Sequence, residues 1–286
     1  MNARKTLRGL LSGSRYVIVP GAFDTLTARL VQLAGFDAVY LTGGGFARAN
    51  GVPDLGLLTM SEIVPWLHRT VDAVEIPVIA DMDTGYGNAL NVIRSVREFE
   101  KSGIAAFHLE DQVAPKKCGH YEGKDVVSTH EMTGKIKAAA DTRRDGDLVI
   151  IARTDALAIE GVQAAIDRVN AYLEAGADVG FVEAPRTVAE MAAIPKAVKG
   201  PVLINIFAGG KTPVLTAPEL EAMGYRLGIY PSQTQRAAIS AIKEVLGVLK
   251  AQGDTAGIEA RLASFADREQ AVGTERWRAL EAKYLA

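Results

Sequence analysis

The chain has 286 residues, 48% hydrophobic and 23% charged, with a formal net charge of −2, enough apolar content to bury a large core as one α/β domain. Lys and Arg are scattered without a basic run or stripe, which argues against nucleic acid as a partner, and no apolar run approaches the roughly 20 residues that span a bilayer. The N-terminus MNARKTLRGLL lacks the features of a secretory signal, and one cysteine allows neither an intrachain disulfide nor zinc-type spacing, so a cytoplasmic protein without a membrane partner is expected.

Apolar runs bounded by Gly, Pro and Asp predict eight strands in chain order: VIVPGAF (17–23), AVYLTGG (38–44), PVIADMDTG (77–85), AAFHLEDQ (105–112), LVIIARTDA (148–156), VGFVEAP (179–185), PVLINIFA (201–208) and YRLGIYP (225–231). Amphipathic helices fill the gaps, clearest in TLTARLVQLAG, MSEIVPWLHRTVDAV, ALNVIRSVREFEKSG and GVQAAIDRVNAYLEAG. Strands that are apolar almost throughout need both faces covered. Eight such units therefore fit a closed (β/α)8 TIM barrel better than an open doubly wound sheet. The expected organisation is a single barrel domain over 1–286, with 113–127 as a mobile lid and about 251–286 as a C-terminal helical extension.

The strands begin apolar and end polar. Tyr40, Thr42 and the glycines 43 to 45 close the second, Asp81 and Asp83 the third, Glu110 and Asp111 the fourth, Arg153 and Asp155 the fifth, Glu183 the sixth and Asn205 the seventh. A barrel brings these ends to one rim, where active sites of this fold lie. Any one charge has a simpler explanation, that the strand end merely reaches water, but its recurrence at the same end does not.

In DMDTGYGN (81–88) two carboxylates stand two apart at a strand end, so both face one side while Met82 faces away. Such a pair suits a hard cation that keeps several waters; alternatively the two aspartates cap the next helix or pair with Arg153. Glu110, and Asp54 in GVPDLG, are placed to accept hydrogen bonds from a metal's waters. Arg153 is a fork of donors for a carboxylate or for developing negative charge, or else a buried partner for Glu183. The TGGG run at 42–45 offers backbone N–H groups to a small carboxylate and matches neither GxGxxG nor a P-loop. Cys118, in KKCGH (116–120), is either an inert buried thiol or a reactive one, and His120 beside it is a surface histidine or a proton partner. His68, His108 and His130 share no spacing and read as structural.

Together these pieces resemble the isocitrate lyase and phosphoenolpyruvate mutase superfamily, within it the 2-methylisocitrate lyase-like branch. Proteins of that branch carry K-[KR]-C-G-[HR] on a mobile loop, here Lys116 to His120, and a D-x-D metal pair, here Asp81 and Asp83. The likeness runs from YLTGGG and GVPDLG through HLEDQ, ARTDA, FVEAP and GGKTP to YPSQTQRAA. Thr42, Gly43, Gly44, Cys118, Gly119, Arg153, Glu183, Asn205 and Arg236 match substrate-contacting positions. The resemblance implies Mg2+ or Mn2+, a homotetramer exchanging a C-terminal helix, and cleavage of a 2-hydroxy dicarboxylate to a 2-oxo acid and a carboxylate. Cys118 would then be the general acid, with Lys116 and His120 lowering its pKa and Arg153 holding the developing charge. Tyr40, Glu110 and a metal-bound water are all eligible to accept the hydroxyl proton. The seventh strand departs from the branch pattern N-I-T-E-F-G: it continues Asn205-Ile206-Phe207-Ala208-Gly209-Gly210-Lys211, more like the dimethylmalate lyases and the plant petal death protein. An oxaloacetate hydrolase shares the lid motif. A phosphoenolpyruvate or carboxyphosphonate mutase would lack the cysteine, and a silent metabolite-binding barrel would have lost a metal or lid residue.

Overall fold

All eight predicted strands form, each shorter than the run that predicted it. The computed structural model describes residues 2–119 and 121–285. The strands are β1 (Val17–Ala22), β2 (Val39–Leu41), β3 (Val78–Asp81), β4 (Ala106–Glu110), β5 (Val149–Thr154), β6 (Val179–Val182), β7 (Val202–Asn205) and β8 (Leu227–Tyr230). Each pairs in parallel with its neighbour in sequence, and β8 returns to β1, so the barrel is closed.

Helices α2 (Thr25–Leu33), α4 (Met60–Ala73), α5 (Ala89–Lys101), α6 (Thr129–Thr142), α8 (Val162–Glu174), α9 (Val188–Ala197) and α10 (Ala217–Met223) lie between successive strands. Their apolar faces pack on the outward side chains of the sheet in two clusters. A helix absent from the sequence expectations, α1 (Ala3–Ser12), adds Leu7 and Leu11 to the apolar cluster inside the barrel. Its Arg4 and Arg8 pair with Asp145 and Asp178, at 2.9 Å and 2.8 Å, which fixes α1 to the loops preceding β5 and β6. A further short helix, α7 (Leu157–Glu160), follows β5. Beyond β8 come α11 (Gln233–Gln252), a 3-10 turn (Ala256–Arg261), α12 (Phe265–Val272) and α13 (Thr274–Leu285). These tail helices bury few residues of their own, none in α13.

The period of two along each strand decides what the barrel encloses. On β4, Ala106 joins the interior cluster while Phe107 and Leu109 pack in the outer layer. The same alternation turns Tyr40, Asp81, His108, Glu110, Arg153, Glu183 and Asn205 toward the interior and its mouth. It turns Asp111 outward, where it accepts from Thr154 Oγ1 at 2.6 Å, the Asp155 N–H at 2.9 Å and Tyr172 OH at 2.9 Å.

At the mouth, β1 approaches the end of β8 so closely that a Cβ on Gly21 would meet the backbone of Pro231. Neither chain can swing aside without breaking the ladder. Gly21→Ala should therefore cost about 1–3 kcal/mol, a fall in Tm of roughly 2–10 °C, measured by calorimetry; an unchanged Tm would show that the two strands part freely.

Candidate active site

β3 ends at Asp81, whose carboxylate accepts from Tyr40 OH at 3.2 Å, from the Gly43 N–H at 3.2 Å and from the Asp83 N–H at 3.0 Å. Asp83 is not on the strand, as the spacing alone suggested, but in a left-handed conformation at φ 47°. That turn still returns its carboxylate to the side of Asp81, while Met82 is buried in the outer layer. The glycine run likewise does not close β2 as a strand end. Gly43–Ala49 forms helix α3, with Thr42 as N-cap accepting from the Gly45 N–H at 3.2 Å. Glycine is required there for close approach: a Cβ on Gly43 would meet the Asp81 carboxylate, and one on Gly44 the Asp54 carboxylate.

Arg153 reaches up from β5 and is held on several sides. It pairs with Glu110 at 3.0 Å, donates to both oxygens of Asp155 at 2.9 and 3.2 Å, lies 4.0 Å from Glu183, and sits 5.3 Å above the Phe181 ring. Glu183 in turn accepts from Asn205 Nδ2 at 3.2 Å.

The segment after β4 is closed at its neck by two backbone hydrogen bonds, from Val113 N–H to Asp125 O and from Val127 N–H to Asp111 O. Gln112 clamps its first turn, accepting from the Lys117 N–H and donating to the Lys117 carbonyl, each at 2.9 Å. From this segment Lys116 extends its ammonium between Asp54 and Asp83, 2.7 Å from each. Cys118 and Gly119 lie over a cavity of about 80 Å³ that Tyr40, Thr42, Gly44, Asp54, Asp81, Lys116, Arg153, Glu183 and Asn205 also line, together with apolar Phe207, Ile229 and Pro231. Gly43 and Glu110 lie behind this lining, against Asp81 and Arg153 respectively. Arg236 does not reach the cavity. It is exposed, donates to the Ala208 carbonyl at 2.6 Å and stacks 5.7 Å from the Phe207 ring, so it braces the apolar wall from behind. His120 lies outside the described residues.

Burial, with Asp81 alongside, raises the Tyr40 phenol well above its ordinary value. The Tyr40 phenol donates to Asp81 at 3.2 Å. Burial also pushes Asp83 up to about 6, against the pull of Lys116 and with the push of Asp81, and it raises Glu110 well above the carboxylate range despite Arg153. Asp81 runs the other way: His108, Lys116 and Arg153 outweigh its burial and hold it low. Lys116, which burial alone would lower, is held well above its ordinary value by Asp83, Asp81 and Asp54. Carboxylates thus surround a cationic spot already marked by an ammonium. Glu110 Oε1 is buried with no hydrogen-bond partner among the described residues. Among those residues no three His, Cys, Asp or Glu side chains enclose an ion by themselves. The donor set therefore fits an oxygen-seeking cation that keeps several waters, as Mg2+ does.

Two residues of the site escaped the sequence reading. Lys124 is buried and donates to Asp155 Oδ1 at 2.6 Å and to the Gly119 carbonyl; no motif marked it. His108 lies one pleat below the rim, 2.8 Å from Tyr40 OH and 3.4 Å from Asp81. Its spacing of two from Glu110 was the available signal, since the period of two puts both on the same side.

Burial holds His108 down at about 4. An unfolded histidine takes up its proton near 6.5, so the folded state binds fewer protons between those values, and stability falls as pH drops through that window. From pH 7 to pH 5 the wild-type chain should lose about 2 kcal/mol relative to His108→Gln, read from urea unfolding at both pH values. An equal change in the two proteins would mean that His108 is not held neutral.

The family model described as phosphoenolpyruvate phosphomutase matches residues 7–249. A 2,3-dimethylmalate lyase of Eubacterium barkeri is 47% identical over 285 residues, covering 99% of each chain. Among solved structures, an oxaloacetate acetylhydrolase in complex with 3,3-difluorooxalacetate superposes with a TM-score of 0.93 at 35% identity, over 99% of this chain and 97% of that one. A phosphonopyruvate hydrolase complex with oxalate and Mg++ superposes at 0.91 with 34% identity over the whole of both. A family match over most of the chain, joined to relatives that align from end to end, makes this protein a member of the phosphoenolpyruvate phosphomutase family, within the phosphoenolpyruvate mutase/isocitrate lyase superfamily.

Proposed function

We propose that the protein is a Mg2+- or Mn2+-dependent carbon–carbon lyase that cleaves a 2-hydroxy dicarboxylate to a 2-oxo acid, such as pyruvate, and a carboxylate. The observation that carries this reading is a lone thiol, Cys118, placed over a cavity that Asp81 and Arg153 also line. Asp81 and Asp83 would hold the cation, and Asp54 and Glu110 would accept hydrogen bonds from its waters. Once bound, the cation supplies Lewis-acid stabilisation of a substrate oxyanion.

The chain's own groups perform the remaining steps. Transfer of the substrate's hydroxyl proton to Glu110 or a water lets the neighbouring C–C bond break, and its electron pair passes to the α-carbon of the departing carboxylate. Cys118 delivers its proton to that carbon, with Lys116 and His120 as the cationic neighbours favouring transfer. Arg153, fixed by Glu110 and Asp155, faces the charge that develops on the departing carboxylate. Tyr40 donates to Asp81 and holds it in place. Glu183, Asn205 and the backbone of Gly119 bound one part of the substrate, and the N–H groups at the start of α3 another. Segment 113–127 is the lid that opens for substrate and closes to exclude water.

Phe207, Ile229 and Pro231 give one side of the cavity an apolar surface suited to an alkyl group, with Arg48 and Ser232 as further polar lining. We therefore assign a 2-alkylmalate-type substrate. The likeness to the oxaloacetate acetylhydrolase favours a second reading, hydrolysis of a 2-oxo dicarboxylate at the same site. No described helix is long and apolar enough to cross a membrane, and we place the enzyme in the cytoplasm. The exposed apolar residues Ile242 and Leu246 of α11 and Trp277 and Leu285 of α13 support a homotetramer in which C-terminal helices pass to a neighbouring subunit.

Two measurements test the reading. In a panel of 2-alkylmalates, 2-methylisocitrate, isocitrate and oxaloacetate at saturating Mg2+, a 2-alkylmalate should give the highest kcat/KM, and a chelator should abolish turnover. Methylisocitrate ahead by about tenfold would overturn the assignment, and oxaloacetate ahead would select the hydrolase. Cys118→Ser should lose about 10²- to 10⁴-fold in kcat while still binding product; a covalent adduct trapped on Cys118 during turnover would make it a nucleophile instead.

A further inference from the structure

Lys124 is unusual for a lysine in an irregular surface segment, with a side chain only 3% exposed. A buried ammonium must replace its lost water with close acceptors, and Lys124 has two that belong to different parts of the molecule. One is the carbonyl of Gly119, next to Cys118 on the lid; the other is Oδ1 of Asp155, at the end of the barrel wall. That same carboxylate grips Arg153 through two hydrogen bonds and is itself seated by its backbone N–H on Asp111. The lid has other side-chain links to the body among the described residues. Lys116 reaches Asp54 and Asp83, inside the proposed cation site, and Glu122 meets Lys211 in solvent. The Lys117 ammonium stays within the lid, donating to the Gly123 carbonyl at 2.6 Å. Gly119 leaves no slack, because a Cβ there would run into Arg153 Nη2 and Glu183 Oε1, each at 2.5 Å.

We propose that Lys124 is a positioning residue: by bridging Gly119 and Asp155 it latches the lid with Cys118 over the cavity, and it ties that closure to the setting of Arg153. When the lid lifts, Lys124 regains water and Asp155 keeps Arg153 as its partner. Opening therefore leaves no charge stranded, and the latch is reversible. Withdrawing the ammonium frees the Gly119 carbonyl and loosens Cys118 and Arg153 together, though neither touches Lys124 through its own side chain.

The turnover arm of the test rests on the lyase reading; the other arms do not. Cys118 is the only cysteine, so iodoacetamide reports on the lid at one atom. In the full-length, Mg2+-loaded protein, Lys124→Met should raise the Cys118 alkylation rate about tenfold or more and speed hydrogen exchange across 113–127, by shifting the local opening equilibrium. Lys124→Arg, which keeps the charge and the donors, should restore most of the protection. On the preferred 2-alkylmalate, Lys124→Met should lower kcat/KM roughly 10²-fold, the scale expected when catalytic groups are misplaced, with Tm unchanged. If Lys124→Met does not fold, Lys124→Gln, which retains a donor, should give an intermediate alkylation rate. Alkylation and exchange equal to wild type in a folded variant would overturn the latch, whatever the substrate. A wild-type chain inert toward every 2-alkylmalate would overturn the lyase reading and leave the latch to be judged by those two arms.

Discussion

Much of this structure depends on an excess of buried negative charge at the barrel mouth. Six carboxylates, those of Asp54, Asp81, Asp83, Glu110, Asp155 and Glu183, converge there on three cationic side chains, Lys116, Lys124 and Arg153, among the described residues. Desolvating so many like charges is costly unless each gains a close counter-charge or a proton. The molecule shows both responses: Asp83 and Glu110 hold their protons to higher pH, Lys116 and Arg153 are each shared between acidic partners, and Lys124 pairs with Asp155. A divalent cation among the same oxygens would relieve the remaining imbalance.

That charge cluster also explains how the lid is built. Two of its lysines, Lys116 and Lys124, are drawn inward from a segment otherwise rich in turns, and each ends on an aspartate of the barrel side. Closure and electrostatic compensation are therefore one event. Glycines follow the same logic at positions 43, 44 and 119, where the space a Cβ would take is filled by Asp81, Asp54 and the Arg153–Glu183 pair.

Strand existence was legible because strands covered on both faces must be apolar along their whole length, a pattern that survives without tertiary information. Candidates such as Asp81, Glu110, Arg153, Glu183 and Asn205 were legible because they interrupt that pattern at one end. The glycines of α3 were read as the end of the second strand, since glycine disfavours helices and only close packing against two carboxylates makes it necessary there. Arg236 was misplaced because its chemistry suits a carboxylate, whereas its position behind Phe207 depends on where the chain turns after β7.

The order of the elements, the barrel and the identity of the polar rim follow from local pattern alone: period, punctuation by Gly and Pro, and the charges that break each apolar run. Which of those charges meet was decided only by closure of the barrel. The pleat faces Glu110 inward and Asp111 outward, the left-handed turn at Asp83 returns its carboxylate to Asp81, and the lid brings Lys116 and Lys124 onto aspartates distant in sequence. Such contacts are set by register and by the balance of buried charge, and both are properties of the assembled barrel that no single segment carries.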